Sequence, residues 1–294
     1  MKKDYQSKNL NIISEEFMNS LLSAQRLVHL AQFHPKLRNI WYLLAAVTFS
    51  VCNQPQEIPK VYHYAMMLNS DVEKKDLNRL AEKTIDLLRK EATQLRSSID
   101  ETYPRPTPFQ RQLTERFREA FVKSGPLGGL PKAINVLTTL KEVTPTVLIP
   151  STKELDPFQA AAGNQPCYLN VGRACESAEQ TTKRGIEHWN HVYSKVSKRV
   201  VNNLNSTYPD LWYYTLAHVY GPLLSYDEIL SAQETSLIII ASLVPQDVNP
   251  QLRGHLKGAV NMGCDQETVE AARNLAVIVS QWCGVSWKSG VVKL

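Results

Sequence analysis

Among the side chains able to move protons, His255 stands apart, set in the run Asn249-Pro-Gln-Leu-Arg-Gly-His-Leu-Lys-Gly-Ala-Val-Asn-Met-Gly263. An imidazole titrates near neutrality and can serve as general base or acid. Helical spacing puts Gly254, His255, Gly258, Ala259 and Met262 on one face. Two glycines inside a helix cost about 1 kcal/mol each relative to alanine. That cost points to a close helix contact or to an opening for a ligand beside His255, which makes Gly254, Gly258 and Met262 candidate pocket residues. Nearby, Ser231 and Glu234 form an S-x-x-E capping box, a structural use for that carboxylate.

A second pair, His188 and His191 beside Glu187, has the spacing of two metal ligands on one helix turn, but no third ligand is evident. A solvated face next to Trp189 accounts for the pair without a metal. The cysteines (Cys52, Cys167, Cys175, Cys264 and Cys283) form no Cys-x-x-Cys and follow no secretory signal, so reduced intracellular thiols are expected. No metal and no cofactor is expected.

These groups need a scaffold, and 294 residues that are 43% hydrophobic can bury one large core or two ordinary ones. No apolar run has the length of a membrane span, so no membrane insertion is expected. A net charge of +5, with Lys and Arg interleaved among Asp and Glu, lacks the clustering of a nucleic-acid surface. No segment alternates polar and apolar residues between hairpin turns, which predicts an all-α fold.

The periodicity predicts helices over 72–97, 109–123, 132–142, 181–205 and 211–220, and around the candidate site. Tyr103-Pro-Arg-Pro-Thr-Pro108, Gly125-Pro-Leu-Gly-Gly-Leu-Pro131 and Gly221-Pro222 are expected to stop them. Asn249 is expected to cap the His255 helix, with Pro250 at its first position, Gly263 at its left-handed end, and Asp265 starting the last helix. A Pro- and Gly-containing stretch over 145–180 divides the chain into a 1–144 half and a 181–294 half. Placing Ile40 to Arg79 against Glu234 to Arg273 aligns two apolar helices, two polar turns and the amphipathic helices that follow, the mark of two degenerate helical repeats.

The run PQDVNPQLRGHLKGAVNMGCDQETVEAARNLAV resembles the signature of the carboxymuconolactone decarboxylase and alkylhydroperoxidase-D-like superfamily, most closely its fungal branch. HVYGPLLSYDEILSAQETSLIIIASL and, in the first half, GPLGGLPKAINVLTTLKEV add to the likeness. The resemblance implies an AhpD-like all-helical fold built of two such repeats. Its peroxidase members carry Cys-x-x-Cys-x-x-x-His with a glutamate one helix earlier. Here Gln251 and Val248 stand at the cysteine positions and Ser236 near the glutamate position. Thiol peroxidase chemistry, which needs a thiolate and a resolving thiol, is therefore not expected. The lactone decarboxylases of the family use a histidine for proton transfer, a role the resemblance carries onto His255. The family's acidic partner has no match in place: Ser236 stands near its position, and Glu234 lies two residues out of step, on a different helix face. Val61 and Ile40 occupy the matching places in the first half, which cannot run that chemistry.

Val292-Lys293-Leu294 resembles the Ser-Lys-Leu class of peroxisomal address, whereas the acidic residues near the N-terminus argue against a mitochondrial presequence. The expectation is a peroxisomal matrix protein met by the import receptor through that tripeptide, with cytoplasm or mitochondrion as alternatives. It would assemble as a dimer or trimer and act as a lyase of the decarboxylase type on a small carboxylate or lactone. The competing expectation is a non-catalytic oligomeric binding or structural protein.

Overall fold

The computed structural model describes residues 20–68, 76–150, 173 and 176–294. Cys167 and Cys175, positions 69–75 of the Ile40–Arg79 alignment, and most of the 145–180 divider lie outside the described residues. All regular structure among the described residues is helical. In the first half it comprises α1 (Ala24–Ala31), α2 (Trp41–Val51), α3 (Ile58–Leu68), α4 (Leu77–Leu88), α5 (Ala92–Thr102), α6 (Pro108–Gly128) and α7 (Leu130–Val143). The second half has α8 (Ala178–Tyr193), α9 (Ser197–Thr207), α10 (Pro209–Tyr214), a π-helix (Thr215–Leu224), α11 (Ala232–Leu243), α12 (Asn249–Asn261) and α13 (Gln266–Trp282).

Two helices lie at the centre, and composition explains why. Every residue of α2 is buried, as is Thr235 to Leu243 of α11. A helix that is apolar all round has no face to offer water. The two pack on each other, and α6 and α13 pack on both, so the halves share one core. The order apolar helix, short 3-10 turn, helix, helix occurs twice, in α2 to α4 and in α11 to α13. The alignment that pairs Ile40 with Glu234 also pairs Asn53 with Asp247, and both turn residues are left-handed, at φ 55° and 57°. Non-glycine residues rarely adopt that conformation.

Polar pairs, one half-buried and one buried, tie the halves together. Arg116 of α6 reaches Glu234 at 2.6 Å. The buried Lys123 ammonium donates to the Tyr226 carbonyl (2.5 Å) and the Thr235 hydroxyl (2.7 Å), and burial pushes it down to about 8.

Several helix boundaries differ from the periodic pattern. The predicted 72–97 helix is interrupted between α4 and α5, and the new direction lets Arg96 hydrogen-bond the carbonyls of Glu142 and Thr144 at the C-terminal end of α7. α6 continues through Gly125-Pro126 and the chain turns only at Gly129, φ 110°. The 181–205 helix breaks at Ser194, φ 45° and ψ −126°. Gly221-Pro222 does not end its helix, because a π-helix accommodates the proline. Asn249, not Pro250, is the first residue of α12; Val248 stands at the N-cap position without a side-chain cap hydrogen bond, and the Asn249 side-chain amide is taken by Gly290 and Val292.

Ser194 adopts a conformation that favours glycine. Ser194→Gly is expected to raise the unfolding free energy by about 1 kcal/mol, read from urea midpoints.

Candidate functional site

The position of His255 follows from how α12 is held. Leu252, Leu256 and Ala259 are buried in the core, which fixes the helix rotation. Gly258 admits α8: a Cβ there would lie 2.8 Å from Val192 Cγ1, and the Asn261 amide donates to the Val192 carbonyl at 2.8 Å. Of the two uses open to Gly258, the structure shows the helix contact. Docking Val192 brings the next residue, Tyr193, over Gly254, whose added Cβ would lie 4.0 Å from Tyr193 Cε1. On its other side α8 meets the π-helix at Gly185, where a Cβ would come within 2.7 Å of the Gly221 Cα. Neither backbone can yield cheaply, so Gly185→Ala is expected to cost about 2 kcal/mol, measured by thermal unfolding.

These contacts assemble a group that sequence reasoning missed. The Tyr193 hydroxyl lies 3.2 Å from the Tyr220 hydroxyl and 3.5 Å from His255 Nε2. The Tyr193 and His255 rings meet edge to face, centroids 6.0 Å apart. Trp189 packs on Tyr193 (4.2 Å), Tyr220 (4.7 Å) and Trp212 (4.9 Å). His188 is buried with its ring 6.1 Å from that of Tyr220, and its Nε2 has no hydrogen-bond partner among the described residues.

The electrostatics are uniform: every titrating group here favours its neutral form. Burial, with His188 adding to it, pushes His255 down to about 4. Burial, then Lys123, does the same to His188, also to about 4. Burial raises the phenols of Tyr193 and Tyr220 above the ordinary tyrosine value. At neutral pH the site presents uncharged imidazoles and protonated phenols, able to accept and donate hydrogen bonds.

Other candidates lie elsewhere. Glu234 completes its capping box with Ser231 and pairs with Arg116, and the Ser236 hydroxyl donates to the Ala232 carbonyl at 2.9 Å. None of these contacts involves His255. Met262 is the partly buried C-cap of α12. His188 points inward, contrary to the expected solvated face, whereas His191 and Glu187 are exposed, so the three do not share one environment. No cluster of three or more His, Cys, Asp or Glu among the described residues could hold a metal ion. A groove of about 230 Å³ lies along Ile186, Trp189, Asn190, Lys198, Val201 and Trp212, but Tyr193, Tyr220 and His255 do not line it.

An all-helical bundle with a repeated apolar helix and an inward histidine defines a class, and the comparisons give it a name. The sequence pattern of the carboxymuconolactone decarboxylase family matches residues 211–293. The chain is 63% identical over 283 residues to Peroxisomal protein 2 of Saccharomyces cerevisiae, covering 94% of this chain and 100% of that protein. It is 42% identical over 179 residues to Peroxisomal protein 2 of Schizosaccharomyces pombe, covering 61% of this chain and 75% of the relative. No solved structure matches. The chain belongs to the carboxymuconolactone decarboxylase family, with the AhpD-like fold that membership implies. The family match begins at Leu211, after Tyr193, so His255 lies within it and its phenol partner before it. No helix among the described residues is long and apolar enough to cross a membrane.

Proposed function

We propose that this protein is a proton-transfer enzyme of the peroxisomal matrix acting on a small lactone or carboxylate, with His255 at the reacting carbon and Tyr193 as its relay. The observation that carries this reading is the placement of the Tyr193 hydroxyl between His255 and Tyr220. In decarboxylation of a lactone acid, the bond to the carboxylate breaks, carbon dioxide leaves, and its electron pair passes into the conjugated ring. A proton must then reach carbon. The neutral imidazole can give its N–H proton to carbon while its other nitrogen takes the Tyr193 phenol proton, and a proton from solvent water then restores the phenol. His188 Nε2, buried and unpartnered, is a polar atom that a bound substrate would satisfy.

The peroxisomal assignment rests on the names of the two fungal relatives and on the Val292-Lys293-Leu294 address. Assembly as a dimer or trimer is supported by exposed apolar surface at Tyr208, Tyr213 and Tyr214 and at Leu130 and Ile134. A monomeric mass by light scattering would contradict it.

A non-catalytic binding protein is the second reading, favoured because the side chain that meets His255 Nε2 is a phenol, Tyr193, and not a carboxylate. Thermal-shift screening of small lactones and carboxylates separates the proposals. Stabilisation of wild type that is lost in His255→Ala supports a site at His255, and equal shifts in both place binding elsewhere. Turnover of a stabilising compound favours catalysis; stabilisation without turnover favours the second reading.

A further inference from the structure

Beyond α13 the chain turns at Gly284 and runs back over α12 and α13, and apart from that of Trp287 its hydrogen bonds to the rest of the chain are made by its backbone. The Trp287 indole donates to the Val244 carbonyl at 2.7 Å, and the Lys288 amide donates to Asp247 at 3.2 Å. The Asn249 side-chain amide donates to the Gly290 carbonyl (2.9 Å), and its oxygen accepts from the Val292 amide (2.9 Å). The nearly buried Arg273 donates to the carbonyls of Val291 (2.5 Å) and Val292 (2.6 Å). The Leu294 amide donates to Glu270 at 2.6 Å. Val291 and Val292 pack against the core.

We propose that Asn249, Glu270 and Arg273 form a peptide-binding groove whose occupant is the protein's own segment Gly290–Leu294, held as a releasable latch. The proposal rests on the reading of Val292-Lys293-Leu294 as an address. A receptor that reads an extended peptide through its backbone needs donors and acceptors that are free, and each amide hydrogen serves one strong bond at a time. Here the amides of Val292 and Leu294 and the carbonyls of Gly290, Val291 and Val292 are already engaged. Receptor and groove therefore compete for one segment, and the receptor's apparent affinity falls by the fraction of molecules with the latch open.

The test compares three ligands for the peptide-binding domain of the receptor that reads Ser-Lys-Leu-type addresses. They are the full-length protein, its Asn249→Ala/Glu270→Ala variant, and a peptide of residues Gly290–Leu294. Arg273 is left intact because it is buried. The variant removes three latch hydrogen bonds, so it should bind roughly tenfold to a hundredfold more tightly than wild type and approach the peptide. Equal affinity of wild type, variant and peptide overturns the latch. A peptide that does not bind overturns the address reading alone, and amide exchange then decides the latch. Slow exchange at Val292 and Leu294 in wild type, lost in the variant, supports it, and equally fast exchange in both proteins overturns it.

Discussion

Lowering the pH from 7 to 5 is expected to cost the fold on the order of 4 kcal/mol, because three histidines are held neutral inside it. Burial pushes His63 down to about 3, and His188 and His255 to about 4. In the unfolded chain each would titrate near 6.5. As the pH falls below 6.5 the unfolded state takes up these protons and the folded state does not, so stability drops. The loss approaches about 1.4 kcal/mol per pH unit for each histidine until the folded values are reached. The total is discounted for His255, which keeps some exposure. Glu115 and Glu142, whose carboxyls burial raises, act in the opposite sense and only nearer the carboxylate range. Urea unfolding at pH 7, 6 and 5 measures the effect. His63 faces Tyr103 at 3.2 Å in the first half, far along the chain from the proposed site. His63→Phe should therefore remove nearly half of the acid loss and leave any activity at His255 in place.

The second large effect concerns catalysis. His255→Ala is expected to lower turnover of a lactone or carboxylate substrate roughly 10²- to 10⁴-fold, the usual contribution of a positioned acid or base. Tyr193→Phe keeps the ring against Trp189 and His255 but removes the hydroxyl between Tyr220 and His255. It should cost about tenfold with little change in unfolding midpoint. Glu234→Gln separates a cap from a catalyst: it loses the charge that pairs with Arg116 and should lower stability without lowering turnover. Steady-state kinetics beside thermal unfolding for the three variants checks these outcomes.

What the sequence made legible follows the physics of each feature. The apolar runs Trp41–Val51 and Leu237–Val244 declare central helices because nothing in them can face water. The Ser231–Glu234 box and the Asp265 cap are local chemistry, readable from neighbouring residues, and the structure has both. Asn249 has the composition of a cap, yet its amide is claimed by residues some forty positions later. Distant contacts of that kind are invisible to local reading. The same holds for the site: His255 was legible by type and setting, whereas Tyr193 and Tyr220 join it only because Gly258 admits Val192 and Gly185 meets Gly221. Tyr193 lies one position beyond the apolar stripe of α8, and a search for phenols flanking that stripe could have found it. The breaks at Ser194 and after Leu88 were hidden because no proline or glycine marks them.

The most direct test of the central claim is deuterium incorporation, followed by proton NMR, into small lactones and carboxylic acids incubated in heavy water. If His255 moves a proton at carbon, wild type introduces deuterium next to the carbonyl of at least one such compound, and His255→Ala does so at least about a hundredfold more slowly. Equal incorporation by both proteins, or none with any compound tested, would contradict the account.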